Sequence, residues 1–142
     1  MALKVRAIRE ATGDRVGVFE GWGGLYTLEL LPAGICGIMP GLAVSDFLAE
    51  VWRLEGSGDR AGAVAVFQQI LPWLTFGLSD MEFFNLMEKR LLVRRGVLEH
   101  DTLRRPTLTP DADTLAYADL LGEALVEAAE TLNATRSQAS DR

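Results

Sequence analysis

Residues 16–41 read VGVFEGWGGLYTLELLPAGICGIMPG, and the fold depends on how that stretch is parsed. Val16-Gly17-Val18-Phe19 is a short apolar run of strand type, interrupted at once by Gly21-Trp22-Gly23-Gly24. A helix-like segment follows, with Leu25, Leu28 and Leu31, joined by Leu30, spaced to share one face, and Pro32-Ala33-Gly34 closes it. Ile35 to Met39 is apolar again, and Pro40-Gly41 leads into a longer helix. A strand–helix–strand unit crosses over right-handed and lays its two strands parallel. The two strand ends then share one rim, where α/β proteins place ligands against glycine loops. On that reading Gly21 lets backbone approach a ligand carboxylate, Gly23 and Gly24 free amides at a helix start, and Trp22 walls the pocket. Met39 and Pro40 line the same mouth from the second strand. The plainer reading is that these glycines only permit a tight turn.

Working outward, residues 2–12 form an amphipathic helix with Leu3, Val5 and Ile8 among Lys4, Arg6, Arg9 and Glu10, stopped by Gly13-Asp14. Met1 is a poor N-cap for it. Residues 42–55 keep a helical period through Phe47, Leu48, Val51, Trp52 and Leu54, with Gly41 or Ser45 as cap. Gly56-Ser57-Gly58 breaks the chain. Asp59 caps a helix carrying Ala61, Val64, Phe67, Ile70 and Leu71, and Pro72 is expected to kink or end it before Trp73, Leu74 and Phe76 extend its face to Gly77. Ser79 or Asp80 caps a helix over 81–95, with Phe83, Phe84, Met87, Leu91 and Leu92 inward and Gly96 as its stop. Residues 97–110 are extended. Asp111 or Asp113 caps a last helix to Asn133, with Leu115, Leu121, Leu125, Ala129 and Leu132 inward, and 134–142 is expected to be a disordered tail. The domain boundaries read 1–55, 56–133 and 134–142.

The chain has 142 residues, 49% apolar and 24% charged, with a net charge of −6: enough for a real core, and the wrong sign for a nucleic-acid surface. Arg90, Arg94 and Arg95 cluster, but at helical spacing they read as a solvated face. No apolar run is long enough to span a bilayer, and the first residues form an amphipathic helix in place of a signal-peptide core, so neither nucleic acid nor membrane is expected as a partner and the cytoplasm is the expected location. The single cysteine, Cys36, sits in an apolar run and reads as a small buried filler.

Candidate chemistry is sparse. The two lysines, Lys4 and Lys89, lie on helices among charged neighbours, which suits surface or structural roles. Tyr26 and Tyr117 fall on helices and read as packing residues. His100, between Glu99 and Asp101, has no Ser or Cys at triad spacing, and Asp80 with Glu82 is better explained by helix capping than by acid–base work. No spacing suggests a metal, no cofactor is expected, and no catalytic residue is assigned.

Two parallel strands followed by helices is an odd inventory, because parallel sheets need covered faces and neighbours on both edges. The order of landmarks resembles the C-terminal half of the dihydrodipicolinate synthase and N-acetylneuraminate lyase family. The residues that carry the resemblance are the strand Val18-Phe19-Glu20-Gly21, the helix ending Ala33-Gly34, and the strand Gly37-Ile38-Met39. They continue with the hairpin broken at Gly58-Asp59 and running through Ala63 to Leu71-Pro72, Lys89 in a helix that reaches Gly96, and Thr102-Leu103-Arg104-Arg105-Pro106, similar to a closing Arg-x-Pro. Trp22-Gly23-Gly24 and Met39-Pro40-Gly41 depart from the more polar residues usual at the two strand ends.

The resemblance implies an α/β fold: the C-terminal part of a (β/α)8 TIM barrel, with two parallel strands, followed by a C-terminal helical bundle. Residues 2–12 match the sixth barrel helix, 16–20 strand seven, 24–33 helix seven and 36–39 strand eight. A whole barrel takes about 250 residues, so six strands are expected to lie outside this stretch. It also implies a lyase or aldolase acting on pyruvate-like 2-oxo acids through a lysine Schiff base, with a relay tyrosine, both on strands this chain does not carry. The chain alone is expected to be inactive, to bind a 2-oxo acid only when completed, and to form a homo-oligomer. The implied substrate-binding positions are Gly21, Trp22, Gly23, Met39 and Pro40. The alternative, from another class, is a non-enzymatic helical interaction or oligomerisation module.

Overall fold

A computed structural model describes residues 1–140. The elements are α1 (Ala2–Thr12), β1 (Phe19–Glu20), α2 (Thr27–Leu30), β2 (Gly37–Ile38), α3 (Ser45–Gly56), α4 (Arg60–Gly77), α5 (Met81–Arg94) and α6 (Ala112–Ser140). Two compact units meet within α4, at Gln68–Gln69. Gly56-Ser57-Gly58 does break the chain, separating α3 from α4, while the boundary between the units falls inside the continuous α4.

In the first unit, β1 and β2 pair in parallel, Phe19 opposite Gly37 and Glu20 opposite Ile38. Bonds from Cys36 N to the Val18 carbonyl and from Met39 N to the Glu20 carbonyl, both 2.9 Å, prolong the ladder. The strands are shorter than the apolar runs predicted, since a residue counts as strand only where a neighbour bonds it. The connecting helix is also short: four residues of α2, then a 3-10 turn over Leu31–Ala33 that ends at Gly34 with φ 92°. That left-handed backbone is what calls for glycine, and the Arg9 guanidinium lies against its bare face. Val5 of α1 packs with Leu30, Ala33 and Ile35, flanked by Val18, Tyr26, Ile38 and Trp52. This cluster fixes α1 and the crossover on one face of the strand pair, and gives Tyr26 the packing role read from its helix.

The first turn of α1, which Met1 does not cap, is served from elsewhere in the fold: Ala2 N donates to Glu29 Oε1 at 3.1 Å. That backbone bond, with the terminal ammonium, holds the Glu29 carboxyl below its usual range. Ser45 is not the cap of α3. It is the first helical residue, and its hydroxyl donates back to the Leu42 carbonyl at 2.9 Å, closing a 3-10 turn over Leu42–Val44. Asp59 does cap α4, accepting from Gly62 N at 2.9 Å. Pro72 does not end α4, which runs on to Gly77 with the proline inside it.

In the second unit, Asp80 accepts from the amides of Glu82 and Phe83 and starts α5, as its position predicts. Phe83, Phe84, Met87, Leu91 and Leu92 are all buried. Phe76 stacks edge-to-face on Phe83 and on Tyr117, with ring centres 5.2 and 4.8 Å apart. Arg90 and Arg94 are not a solvated face. Arg90 forks onto Asp119 of α6, and Arg94 bonds both Asp119 and Glu123. Residues 97–110 run as an extended strap held at three points. Lys89 Nζ donates to the Thr102 carbonyl at 2.7 Å, Arg90 Nη1 to Asp101 at 3.1 Å, and Glu82 accepts from Thr107 and Leu108. Asp111 accepts from Thr114 N at 2.7 Å and caps α6. That helix reaches Ser140, past the end expected at Asn133, because no glycine or proline stops it; the last two residues of the expected tail lie outside the described residues.

Candidate functional site

Parallel pairing sends both strands out at the same rim, and the chain turns there at Gly21 and Met39. The two residues touch: a Cβ on Gly21 would meet Met39 Cε at 3.1 Å. The terminal methyl of Met39 lies against the bare face of Gly21 at the end of β1. Trp22 and Met39 are both exposed at this rim, 45% and 59%. Phe19 lies half-exposed over Gly37, its ring in the space a Cβ there would fill. The outer face of the strand pair is therefore aromatic and apolar at its centre and thioether and indole at its rim.

The loop itself is closed by a residue the sequence reading passed over. Glu20 is 3% exposed, and its carboxylate accepts from Trp22 N at 2.9 Å and Gly24 N at 2.8 Å. Gly24 in turn gives its carbonyl to the Thr27 hydroxyl at 2.7 Å and to Thr27 N at 3.1 Å. Of the two amides assigned to a ligand, that of Gly24 is taken internally. Gly23 and Gly24 are buried with φ of 65° and 90°, and Leu48 packs so closely on Gly24 that a Cβ there would sit 2.5 Å from its methyl carbon. Their glycine identity is thus set by conformation and packing. The signal for Glu20 was available: strand alternation puts Phe19 and Glu20 on opposite faces, so one of the pair had to be an exposed aromatic or a buried acid.

Of the five positions proposed for substrate, the structure brings Gly21 and Met39 together and sets Trp22 beside them. It separates Pro40. Gly21 and Trp22 line a groove of about 350 Å³ between α1 and β1, with Lys4, Ile8 and Val18. Pro40 lines another, of about 390 Å³, between β2 and α3, with Cys36, Ile38, Ala49 and Trp52. Cys36 is exposed in that groove, contrary to the expected buried filler, because β2 has no second neighbour to cover it. Lys4 is exposed on α1 and Lys89 is engaged by the strap. Among the described residues, no three His, Cys, Asp or Glu side chains gather as a metal site would require, and no helix is long and apolar enough to cross a membrane.

No family model matches the chain. It is 30% identical over 128 residues, 81% of its length, to the 4-hydroxy-tetrahydrodipicolinate synthases of Bifidobacterium longum strains DJO10A and NCC 2705. Its fold matches the crystal structure of dihydrodipicolinate synthase from Rhodopseudomonas palustris with a TM-score of 0.77 and 24% identity, over 87% of this chain. The chain spans 42% of the length of each of these proteins. The likeness to the dihydrodipicolinate synthase family thus holds over part of that family's length, and the fold is that of a portion of its barrel. Two parallel strands followed by helices are what the C-terminal part of such a barrel contains.

Proposed function

We propose that this chain supplies the last two strands and the C-terminal helices of a 2-oxo-acid lyase of the class I aldolase type, and that it has no such activity by itself. The observation that carries this reading is the parallel pair β1–β2 with Gly21 and Met39 at one rim, within a fold similar to the synthases over 42% of their length. In a (β/α)8 enzyme the rim at the C-terminal ends of the strands is the catalytic face. Gly21, Trp22 and Met39 then contribute walls, with Trp22 and Met39 offering exposed apolar surface to the part of a substrate remote from its carboxylate. The closed Glu20 loop argues that this chain shapes the pocket and does not supply its main anion contact.

The chemistry of such a lyase needs an amine held neutral so that it can attack a carbonyl. Neither lysine meets that need: Lys4 stands exposed on α1, and Lys89 gives its ammonium to a backbone carbonyl of the strap. Incubating the purified chain with pyruvate and borohydride is expected to leave its mass unchanged. A trapped adduct on Lys4 or Lys89 would overturn the reading. Co-expression with a polypeptide carrying the remaining strands is expected to yield an adduct on the added partner. The same exposed surfaces would have the active form assemble from more than one copy, as light scattering would report.

A further inference from the structure

Thr107 stands at the tightest fastening of the strap. Its hydroxyl and its amide both donate to the Glu82 carboxylate, and the Leu108 amide donates to it at 3.0 Å. Those bonds hold the Glu82 carboxyl below its usual range, so it is ionised at neutral pH. From Glu99 to Pro110 no backbone group bonds another among the described residues. What ties this stretch to α5 are the side chains of Glu82, Lys89 and Arg90, and a segment so held opens without melting a helix. Just ahead of Thr107 come Arg104 and Arg105, both exposed. No ion pair among the described residues takes up either guanidinium. Arg105 has a left-handed backbone, φ 54°, alone among the described residues other than glycine. Glycine or asparagine takes that conformation at lower cost, so the fold itself gives no reason for an arginine there. Two uncommitted guanidinium groups ahead of an exposed hydroxyl, on chain that lifts off extended, suit an acidic groove.

We infer that Thr107 is a phosphoacceptor for a protein kinase with an acidic substrate groove, and that phosphorylation releases the strap from α5. In the transfer, Thr107 Oγ1 attacks the γ-phosphorus of a nucleoside triphosphate held by the kinase. The new O–P bond forms as the bond to the β-phosphate oxygen breaks; nucleoside diphosphate leaves, and the hydroxyl proton passes to a carboxylate of the kinase. The phosphothreonine carries a charge of about −1.5 to −2 at neutral pH. It stands where the hydroxyl now donates to Glu82, with no proton to donate and like charge facing like. The cations of α5 are already spent elsewhere: Lys89 on the Thr102 carbonyl, Arg90 on Asp101 and Asp119, and Arg94 on Asp119 and Glu123. The strap end therefore leaves, and Leu108 leaves with it. Leu108 lines a groove of about 400 Å³ with Phe76, Phe83 and Pro110, so its departure bares the aromatic wall of that groove.

The probe is the catalytic subunit of cyclic AMP-dependent protein kinase, which takes arginines ahead of its acceptor, added with ATP and magnesium to the full chain. Tandem mass spectrometry is expected to place one phosphoryl group on Thr107. Hydrogen exchange at the Thr107 and Leu108 amides, which Glu82 now holds, should then rise about tenfold while the α5 amides keep their rates. Arg104→Ala with Arg105→Asn, the latter suited to the left-handed backbone, should slow the modification about tenfold and leave the melting temperature unchanged, since both positions are exposed. Glu82→Gln keeps an acceptor and drops the charge, so phosphorylating that variant should raise the exchange of the two amides by less than about twofold. A phosphoryl group on Thr102 or Thr109 instead, or on no residue, overturns the inference. So does a modified Thr107 whose neighbouring amides exchange at the parent rate, an arginine variant modified as fast as the parent, or a Glu82→Gln chain that gains as much exchange as the parent does.

Discussion

At the residue scale, one buried carboxylate takes a place the glycine loop was expected to keep for a ligand. The amides of Trp22 and Gly24 would otherwise face an anion, and Glu20 satisfies both from within the chain. Truncating it strands a buried N–H, at a cost of about 1–3 kcal/mol. Glu20→Ala is accordingly expected to lower the urea-unfolding free energy by about that much, and Glu20→Gln, which keeps one acceptor, by less. Gly24→Ala meets two penalties, a positive φ that costs about 1–2 kcal/mol and the Leu48 methyl groups; it should destabilise the chain more than Glu20→Gln in the same titration. The two Glu20 variants probe a residue type that a sequence reading underrates. A glutamate beside a glycine loop looks like surface charge until the loop is seen to wrap it.

At the element scale, most of the helices were legible and most of the strands' extent was not. The apolar period of α5 named every buried apolar position on its inner face and passed over the buried Glu88, and Asp59, Asp80 and Asp111 capped where their side chains predicted, because capping and amphipathicity are local. The strap 97–110 was read only as extended. Its anchorage depends on partners 11 to 26 residues away that local pattern does not pair. Glu82 is its tightest fastening, and bonds from the Thr107 hydroxyl and from the Leu108 and Thr107 amides hold that carboxyl below its usual range. Glu82→Ala is expected to speed tryptic cleavage after Arg104 by roughly an order of magnitude, since proteolysis follows local opening. An unchanged rate would mean that Lys89 and Arg90 hold the strap unaided.

At the scale of the whole molecule, the pH dependence of stability should be carried by paired acids. Burial raises the Asp119 carboxyl, but the Arg90 and Arg94 bonds and charges together outweigh it and leave it lowered. A carboxyl lowered in the folded state stabilises above its unfolded value, near 3.9, and that stability is lost as pH falls through the folded value. The urea midpoint is expected to hold from neutral pH to about pH 5 and to drop steeply below about pH 4. Asp119→Asn should lower the midpoint at neutral pH and flatten the acid limb, and an unflattened limb would assign the loss to other carboxylates. What the sequence by itself determined was the order of elements, the aspartate caps of α4, α5 and α6, the inward faces of the helices and the parallel sense of the two strands, all of which follow from short-range pattern and from the handedness of crossovers. Only the tertiary structure decided that the loop closes on Glu20, that Cys36 is exposed, that α4 runs through Pro72, and that Pro40 looks into a different groove from Trp22. Each of those depends on which distant residue arrives alongside: a carboxylate folding back, a strand with no neighbour, or a helix packed against a single edge.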